Sequence, residues 1–511
     1  MNFLFAFRPL RLTISKVLLY LLGFGFVMTA SMLRGQSAAI GSSTSTPDAQ
    51  LNSIATQLAA AQARLQESQR EIDLLQQQLS ALRAQLAATS SVEAASSTGS
   101  TSASVPDLAE KVEVLESQVA QHDQSKVEST SKYPLRITGL VLFNAFTNTG
   151  NVDNFDLPSL ALAQSPDVST RSSGASMRQT ILGIHAIGPH LLGASSQADI
   201  NFDFYGGIPY NSYGTSGGLI RLRTGAMRLL WQRGTAEVGL VEPLISPLSP
   251  TSYATVAEPG MAWAGNLWTW APQLSYKHFF SGPRDGSFGW QFGLWDPPAA
   301  GYNNPDVYRA PSSGERSAQP AYETRFSYAH GEQGSPGYLQ LGISSYYSRQ
   351  SYSGRNGDSW AVTGDWKLPI TRFFELSGEA YRGRALGGLG GGVYKDVVNG
   401  TDPVTGRTTF RLLNDAGGWS QAKVRFSRLL EANGTFGLDN GFARDFHSLI
   451  LPSTAGAVQL RARNQMISAN VIYTPRTYLI ISPEYRRIHT SPINSAASVA
   501  NIFTLSFGYR F

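Results

Sequence analysis

The chain has 511 residues, 50 glycines, 11% aromatic residues, only 15% charged residues and no cysteine. No disulfide can hold the fold together. Low charge with many glycines and aromatics points to a β-protein with many turns, since soluble chains carry about 25% charged residues. The formal net charge of +5 says little by itself, because the charges are unevenly placed along the chain.

The first segment reads as an export signal. Arg8, Arg11 and Lys16 precede the apolar run VLLYLLGFGFVMTA (Val17–Ala30), and small residues follow around Ser37-Ala38-Ala39. That order places a cleaved signal peptide over residues 1–39. A membrane anchor is the alternative, but the run is shorter than the ~20 residues a spanning helix needs. No later stretch is long and apolar enough for such a helix, so any further membrane association is β or peripheral.

Residues 49–88 carry a heptad pattern. One seam position holds Leu51, Leu58, Leu65, Ile72, Leu79 and Leu86; the other holds Ile54, Ala61, Ser68, Leu75 and Leu82. So narrow an apolar stripe predicts an α-helical coiled coil rather than a core helix. Its length is roughly 54 Å. The seam does not fix the number of strands, and a solitary solvated helix is the alternative. A Ser/Thr/Ala linker is predicted over 89–106. A second short helix follows over 107–130, with Leu108, Val112, Leu115 and Val119 on one stripe.

From residue 134 to 511 the period changes to two. In QADINFDF, Ala198, Ile200, Phe202 and Phe204 alternate with Gln197, Asp199, Asn201 and Asp203. YETRFSY, WAVTGDWKL and QAKVRF alternate in the same way. Sixteen such segments begin near Leu135, Ser176, Ser195, Gly218, Thr235, Ala271, Gly286, Gln319, Pro336, Gly357, Thr371, Gly417, Asn433, Asn464, Arg476 and Val499. The second and fourteenth alternate least cleanly. Short and long connections take turns, which is the plan of an all-β transmembrane barrel of about 16 antiparallel strands. The chain ends in NIFTLSFGYRF, with Phe503, Leu505, Phe507, Tyr509 and Phe511 on one face. An apolar final strand without a polar tail makes sense if both its edges are paired, as closure requires. A soluble sandwich has the same period, but the leader, the strand number and the loop asymmetry favour the barrel.

A barrel of sixteen strands leaves an aqueous interior, whereas eight strands fill theirs with side chains. The signal, the coil, the first strand LRITGLVLFNAF directly after it and the sixteen-stranded barrel together resemble the DcaP-type trimeric porins of Gram-negative bacteria. No pore motif aligns residue by residue. The resemblance implies an outer-membrane homotrimer with its coil in the periplasm. It also implies uptake of small anionic organic solutes, dicarboxylates among them, in contact with outer-membrane lipids.

The barrel segment retains 31 basic and 25 acidic residues, or +6. Arg223, Lys277, Arg325, Lys423 and Arg425 are predicted to line the pore about five to eight residues below the outer end of descending strands. Glu323, Asp365, Glu379 and Glu484 line it too and can pair with them. An unpaired cluster would favour anions, small carboxylates included. The Pro243–Pro272 connection, between the fifth and sixth strands, carries Glu242, Glu258, Trp263 and Trp268. It is a candidate constriction loop folded into the lumen; exposed girdle or trimer contact is the alternative.

Other chemistry is weakly signalled. Gly214–Gly218 matches G-x-S-x-G but lies between β segments, where a nucleophile elbow needs a strand-to-helix turn. Gly387–Gly392 (GGLGGG) reads as a flexible loop. The histidines are scattered, so no metal, cofactor or nucleic-acid partner is expected. An outer-membrane barrel enzyme and a structural tether, binding peptidoglycan through the coil, remain as competing readings.

Overall fold

The structure is a computed structural model. It describes residues 134–164, 169–208, 217–282, 286–300, 310–352, 354–452 and 460–511. The signal, coil, linker and second helix expected over 1–130 lie outside the described residues.

Alternation of apolar and polar residues makes each strand two-faced, and a two-faced strand in lipid must close into a barrel to satisfy its backbone. The strands are β1 (Leu135–Thr149), β2 in two segments (Arg171–Ser176 and Ile181–Leu191), β3 (Ala194–Asp203) and β4 (Arg221–Trp231). They continue as β5 (Gly234–Val241), β6 (Ala271–Ser281), β7 (Ser287–Trp295) and β8 (Ala321–His330). Next come β9 (Leu339–Tyr352), β10 (Arg355–Pro369), β11 (Phe374–Arg384) and β12 (Asn414–Arg425). The set ends with β13 (Leu430–Gly441), β14 (Arg461–Arg476), β15 (Leu479–Pro492) and β16 (Ser498–Arg510). Seventeen segments form one sheet. Both pieces of β2 pair with β1, so they are one interrupted strand and the wall has sixteen strands.

Each strand pairs antiparallel with the next, and β1 pairs with β16 to close the ring, with Phe143 opposite Phe507. The C-terminus takes part. Gly139 N–H donates to the Phe511 carbonyl at 2.9 Å, and Phe511 N–H returns a bond to Gly139 at 3.1 Å. The aromatic ending is therefore paired along its whole length. Phe503, Leu505, Phe507, Tyr509 and Phe511 are all exposed on the outer face. Large exposed apolar side chains recur around the wall, among them Phe280, Phe292, Phe326, Ile343, Phe436 and Ile467. That is the outward band a bilayer requires.

The two strands that alternate least cleanly in sequence are irregular for visible reasons. β2 breaks between Ser176 and Ile181, and the break buries Gln179 and Thr180. β14 has register shifts at both ends, and its inward Met466 is apolar. The inner wall is not purely polar, because part of it is covered by a loop.

Candidate functional site at the pore constriction

The connection from β5 to β6 lies inside the barrel. Its backbone is held by polar side chains of strands far from its own ends. Glu323 of β8 accepts the N–H groups of Leu244 and Ile245 at 2.9 and 3.3 Å. Glu379 of β11 accepts Leu248 N–H at 2.7 Å and the Ser246 hydroxyl. Gln421 of β12 accepts Thr251 N–H at 2.7 Å. The Asn470 amide of β14 donates to Thr251 O at 2.9 Å, and the Ser252 hydroxyl donates to Glu484 of β15 at 2.5 Å. Gln179, in the break of β2, accepts Val256 and Ala257 N–H and donates to Ala254 O. The loop thus follows the inner wall from β8 round to β2. These partners are all inward-facing residues of the wall or of the break in β2.

Apolar contacts add to these anchors. Met261 and Ala264 pack with Trp419, Met466 and Ile488 of the wall. Ile245 and Leu267 pack with Trp295, Tyr346 and Tyr381. Two glycines permit the close approach. A Cβ at inward Gly437 would sit 2.2 Å from Ala264 O, and one at Gly265, whose φ is +105°, would sit 2.1 Å from Gly418 O.

The acids predicted to line the pore are therefore largely anchors of the loop. Asp365 binds Arg325 in a bidentate pair (2.6 and 3.1 Å), with both side chains almost wholly buried. Arg425 pairs with Glu375 at 2.7 Å, Lys423 with Glu431 at 3.1 Å, and Glu484 with Arg486 at 3.5 Å. Lys277 lies opposite Gln291. The basic residues do not share one level. Arg223 is the third residue from the long-loop end of β4, while Arg425 is the last residue of β12, at the short-turn end. Of the paired and unpaired arrangements left open by the sequence, Arg325, Lys423 and Arg425 are paired, with acids of nearby strands, and Arg425 lies low because β12 starts at Asn414, earlier than its alternation indicates.

One basic group that bonds the loop is at the mouth. A bulge between Asn201 and Phe202 leaves Arg223 without a register partner. Strict alternation from inward Arg228 would send Arg221 and Arg223 outward; the extra residue turns them into the lumen. Arg221 and Arg223 both bind Asp203, at 2.6 and 3.0 Å, and donate to the loop carbonyls of Ala257 and Val256. Arg178, beside the break in β2, binds Asp156 at 3.0 Å. Tyr205 and Trp270 stack against these guanidinium groups, Arg178 at 4.2 Å from the Tyr205 centroid and Arg223 at 4.7 Å from that of Trp270. The arginine side chains are 11–24% exposed, whereas Asp203 is 0% and Asp156 6%. The two aspartates are thus more deeply buried than the arginines they bind.

Beside this group is a cavity of ≈ 450 Å³ walled by Trp263, Trp268, Trp270, Tyr394, Glu258 and Glu315. Trp263 stacks on Tyr394 with centroids 4.5 Å apart. Tyr394 follows the glycine run, which is densely packed rather than a loose loop: the backbone N–H of Trp268 donates to Leu389 O at 3.0 Å. Glu258 is half-buried near Asp153 and accepts the Ser159 hydroxyl at 3.4 Å. Burial, then the Asp153 charge, pushes its carboxyl up to about 7. Glu242 supplies a carbonyl to Gln273 at 3.1 Å. Among the described residues no group of three or more metal-ligating side chains occurs.

Sequence reasoning missed Arg178, Arg221, Asp156 and Tyr205. Asp203 was visible as an inward residue, but the bulge that brings two arginines to it has no sequence signature.

No family model matches the sequence, and no curated protein matches it significantly. Among solved structures, the outer-membrane channel DcaP of Acinetobacter baumannii matches with a TM-score of 0.52 at 15% identity, over 75% of this chain and 99% of that one. This chain has the fold of that outer-membrane channel. An anion-selective porin from Comamonas acidovorans matches with a TM-score of 0.48 at 13% identity, over 74% of this chain and 100% of that one. Pseudomonas putida OprB gives 0.44 at 11% identity, over 74% and 94%. At such identities only the fold is shared with the DcaP channel, so the chemistry of this pore rests on its own residues.

Proposed function

We propose that the protein is an outer-membrane porin that passes small hydrophilic solutes, with a mild preference for anions such as small carboxylates. The observation that carries this reading is the pinned loop beside Arg178, Arg221 and Arg223, whose acidic partners are buried behind them. Partly exposed cations at a narrow point raise the local concentration of anions. Salt weakens the effect, because screening shortens its range.

The same reading makes the protein a homotrimer, joined by the periplasmic coil of Leu51–Leu86 and exported by the leader of residues 1–39. Deleting residues 51–86 is expected to leave folded barrels with weaker association, as cross-linking would show. A tether to peptidoglycan through the coil is compatible with transport.

Planar bilayers test the proposal. Purified protein is expected to give discrete conductance steps and an anion-selective zero-current potential across a KCl gradient. Absence of conductance in folded, heat-modifiable protein would remove the porin reading. Cation selectivity unchanged by Arg221→Ala with Arg223→Ala would remove the anion preference.

A further inference from the structure

The cavity of ≈ 450 Å³ at the mouth has a composition that passage of small anions does not require. Among the described residues its lining holds four aromatic side chains, three carboxylates and no basic side chain. The aromatics are Trp263, Trp268, Trp270 and Tyr394, and all four are half-buried, so each keeps accessible surface. Clustered apolar surface left open to water marks a binding site. The volume is that of an ordinary small-molecule pocket.

The rings form two groups. Trp263 and Tyr394 are stacked, with planes 23° apart, whereas Trp268 and Trp270 meet edge to face at 71° with centroids 5.4 Å apart. The backbone holds Tyr394 in place. Gly392, Val393 and Tyr394 are all left-handed, with φ of +60°, +50° and +62°, and Val393 N–H donates to Asp439 of the wall at 3.2 Å. A β-branched residue in that conformation is strained, so the surrounding contacts must fix it. Trp270 is shared between two surroundings. It lines the cavity, and Arg221 and Arg223 lie over its ring, 5.0 and 4.7 Å from the centroid. Glu258 accepts only the Ser159 hydroxyl among the described residues, and a carboxylate has room for more than one donor or cation. The mouth therefore presents guanidinium groups, then indole rings, then carboxylates.

We propose that this cavity binds a small zwitterion, a quaternary ammonium carboxylate, with its methylated ammonium among Trp263, Trp268 and Tyr394 beside Glu258 and its carboxylate toward Arg221 and Arg223. Aromatic faces attract cations, and a quaternary ammonium, which has no N–H to donate, is recognised chiefly by such rings. A simple anion does not fit the same place, because the lining offers it carboxylates and no basic group. A simple cation meets the two arginines at Trp270, which the carboxylate of a zwitterion answers. The inference rests on the porin reading, which brings solutes to the lumen, and it names a solute class for that lumen.

The test uses full-length protein in detergent and equilibrium dialysis against three labelled probes. They are trimethylglycine, its uncharged-carbon analogue 3,3-dimethylbutanoate, and glucose. The first two share shape and carboxylate and differ only in the cationic centre. Dialysis is run at pH 8, above the raised Glu258 value of about 7. Wild type is expected to bind trimethylglycine at least about tenfold more tightly than either other probe, as several ring contacts to one cation allow. Trp268→Leu keeps apolar bulk but removes a ring, and Glu258→Gln removes a charge; each is expected to weaken binding about fivefold, with Trp268→Phe restoring most of it. Unheated gel mobility checks that the variants fold, and the comparison of probes needs only the wild type. No binding of trimethylglycine by folded wild type, or equal binding of trimethylglycine and 3,3-dimethylbutanoate, would overturn the proposal. Equal binding of glucose would also overturn it, assigning the cavity to neutral polyols. Conductance is measured on the same preparations. Channels without trimethylglycine binding would remove this inference alone, and binding without channels would remove the porin reading.

Discussion

Arg325 and the pair Arg221/Arg223 are all inward arginines on descending strands, each hydrogen-bonded to an aspartate, yet they do different work. Arg325 and Asp365 bury each other in the wall, 4% and 1% exposed. At the mouth, one wholly buried aspartate holds two arginines whose outer faces stay accessible. A charge counted in a sequence becomes a charge in a pore only when its partner is hidden and it is not. The first arrangement is sealed in the wall, and the second leaves guanidinium surface exposed at the mouth.

The comparison can be broken most forcefully at the first site. Arg325→Ala leaves Asp365 buried without its cation, which costs about 3–5 kcal/mol. The temperature at which the fast-migrating unheated band is lost should fall markedly. Selectivity of the barrels that do fold should change little.

The next largest effect is expected in the loop that lies between the two sites. Gly437→Val places a branched side chain where Ala264 O already sits. The loop should leave the wall, raising single-channel conductance while the barrel still folds. Unchanged conductance would mean that the loop does not set the constriction.

At the mouth, Arg221→Ala and Arg223→Ala should each move the zero-current potential toward cations at low salt, with little difference at high salt. Their effect on stability should be smaller than that of Arg325→Ala, because both side chains are partly solvated.

The smallest expected effect is the pH response of Glu258. Its folded pKa, about 7, is raised above the ordinary 4.5 by burial. The folded state therefore binds more protons than the unfolded chain between these values, and stability falls as pH rises through about 4.5 to 7. Over the same window, acidification removes a negative charge beside the arginines. Anion preference should increase as pH is lowered from 8 to 5, and Glu258→Gln should abolish the change. A flat profile in the wild type would separate Glu258 from the permeation path.

How much was legible follows from the residues. All sixteen strands were readable because lipid outside and a hydrated lumen inside impose a period of two on each one. The same alternation assigned Arg325, Glu323, Asp365, Glu379 and Glu484 to the inner face. Their partners were not readable, because β8 reaches the loop after β5 through space and no sequence spacing encodes that contact. The glycine run at Gly387–Gly392 illustrates the same limit: what looked like freedom is backbone packed against Pro298 and Ala299.

The sequence by itself determined the strands, their inward and outward faces, the order of long and short connections, and a final strand that had to be paired on both edges. These are local consequences of side-chain alternation in two solvents. Only the tertiary structure decided that the β5–β6 connection lies along the inner wall and that a bulge at Arg223 turns two arginines to one aspartate. Each of those depends on register and closure, which bring together residues far apart in the chain, and a one-residue slip of register would reverse every one of them.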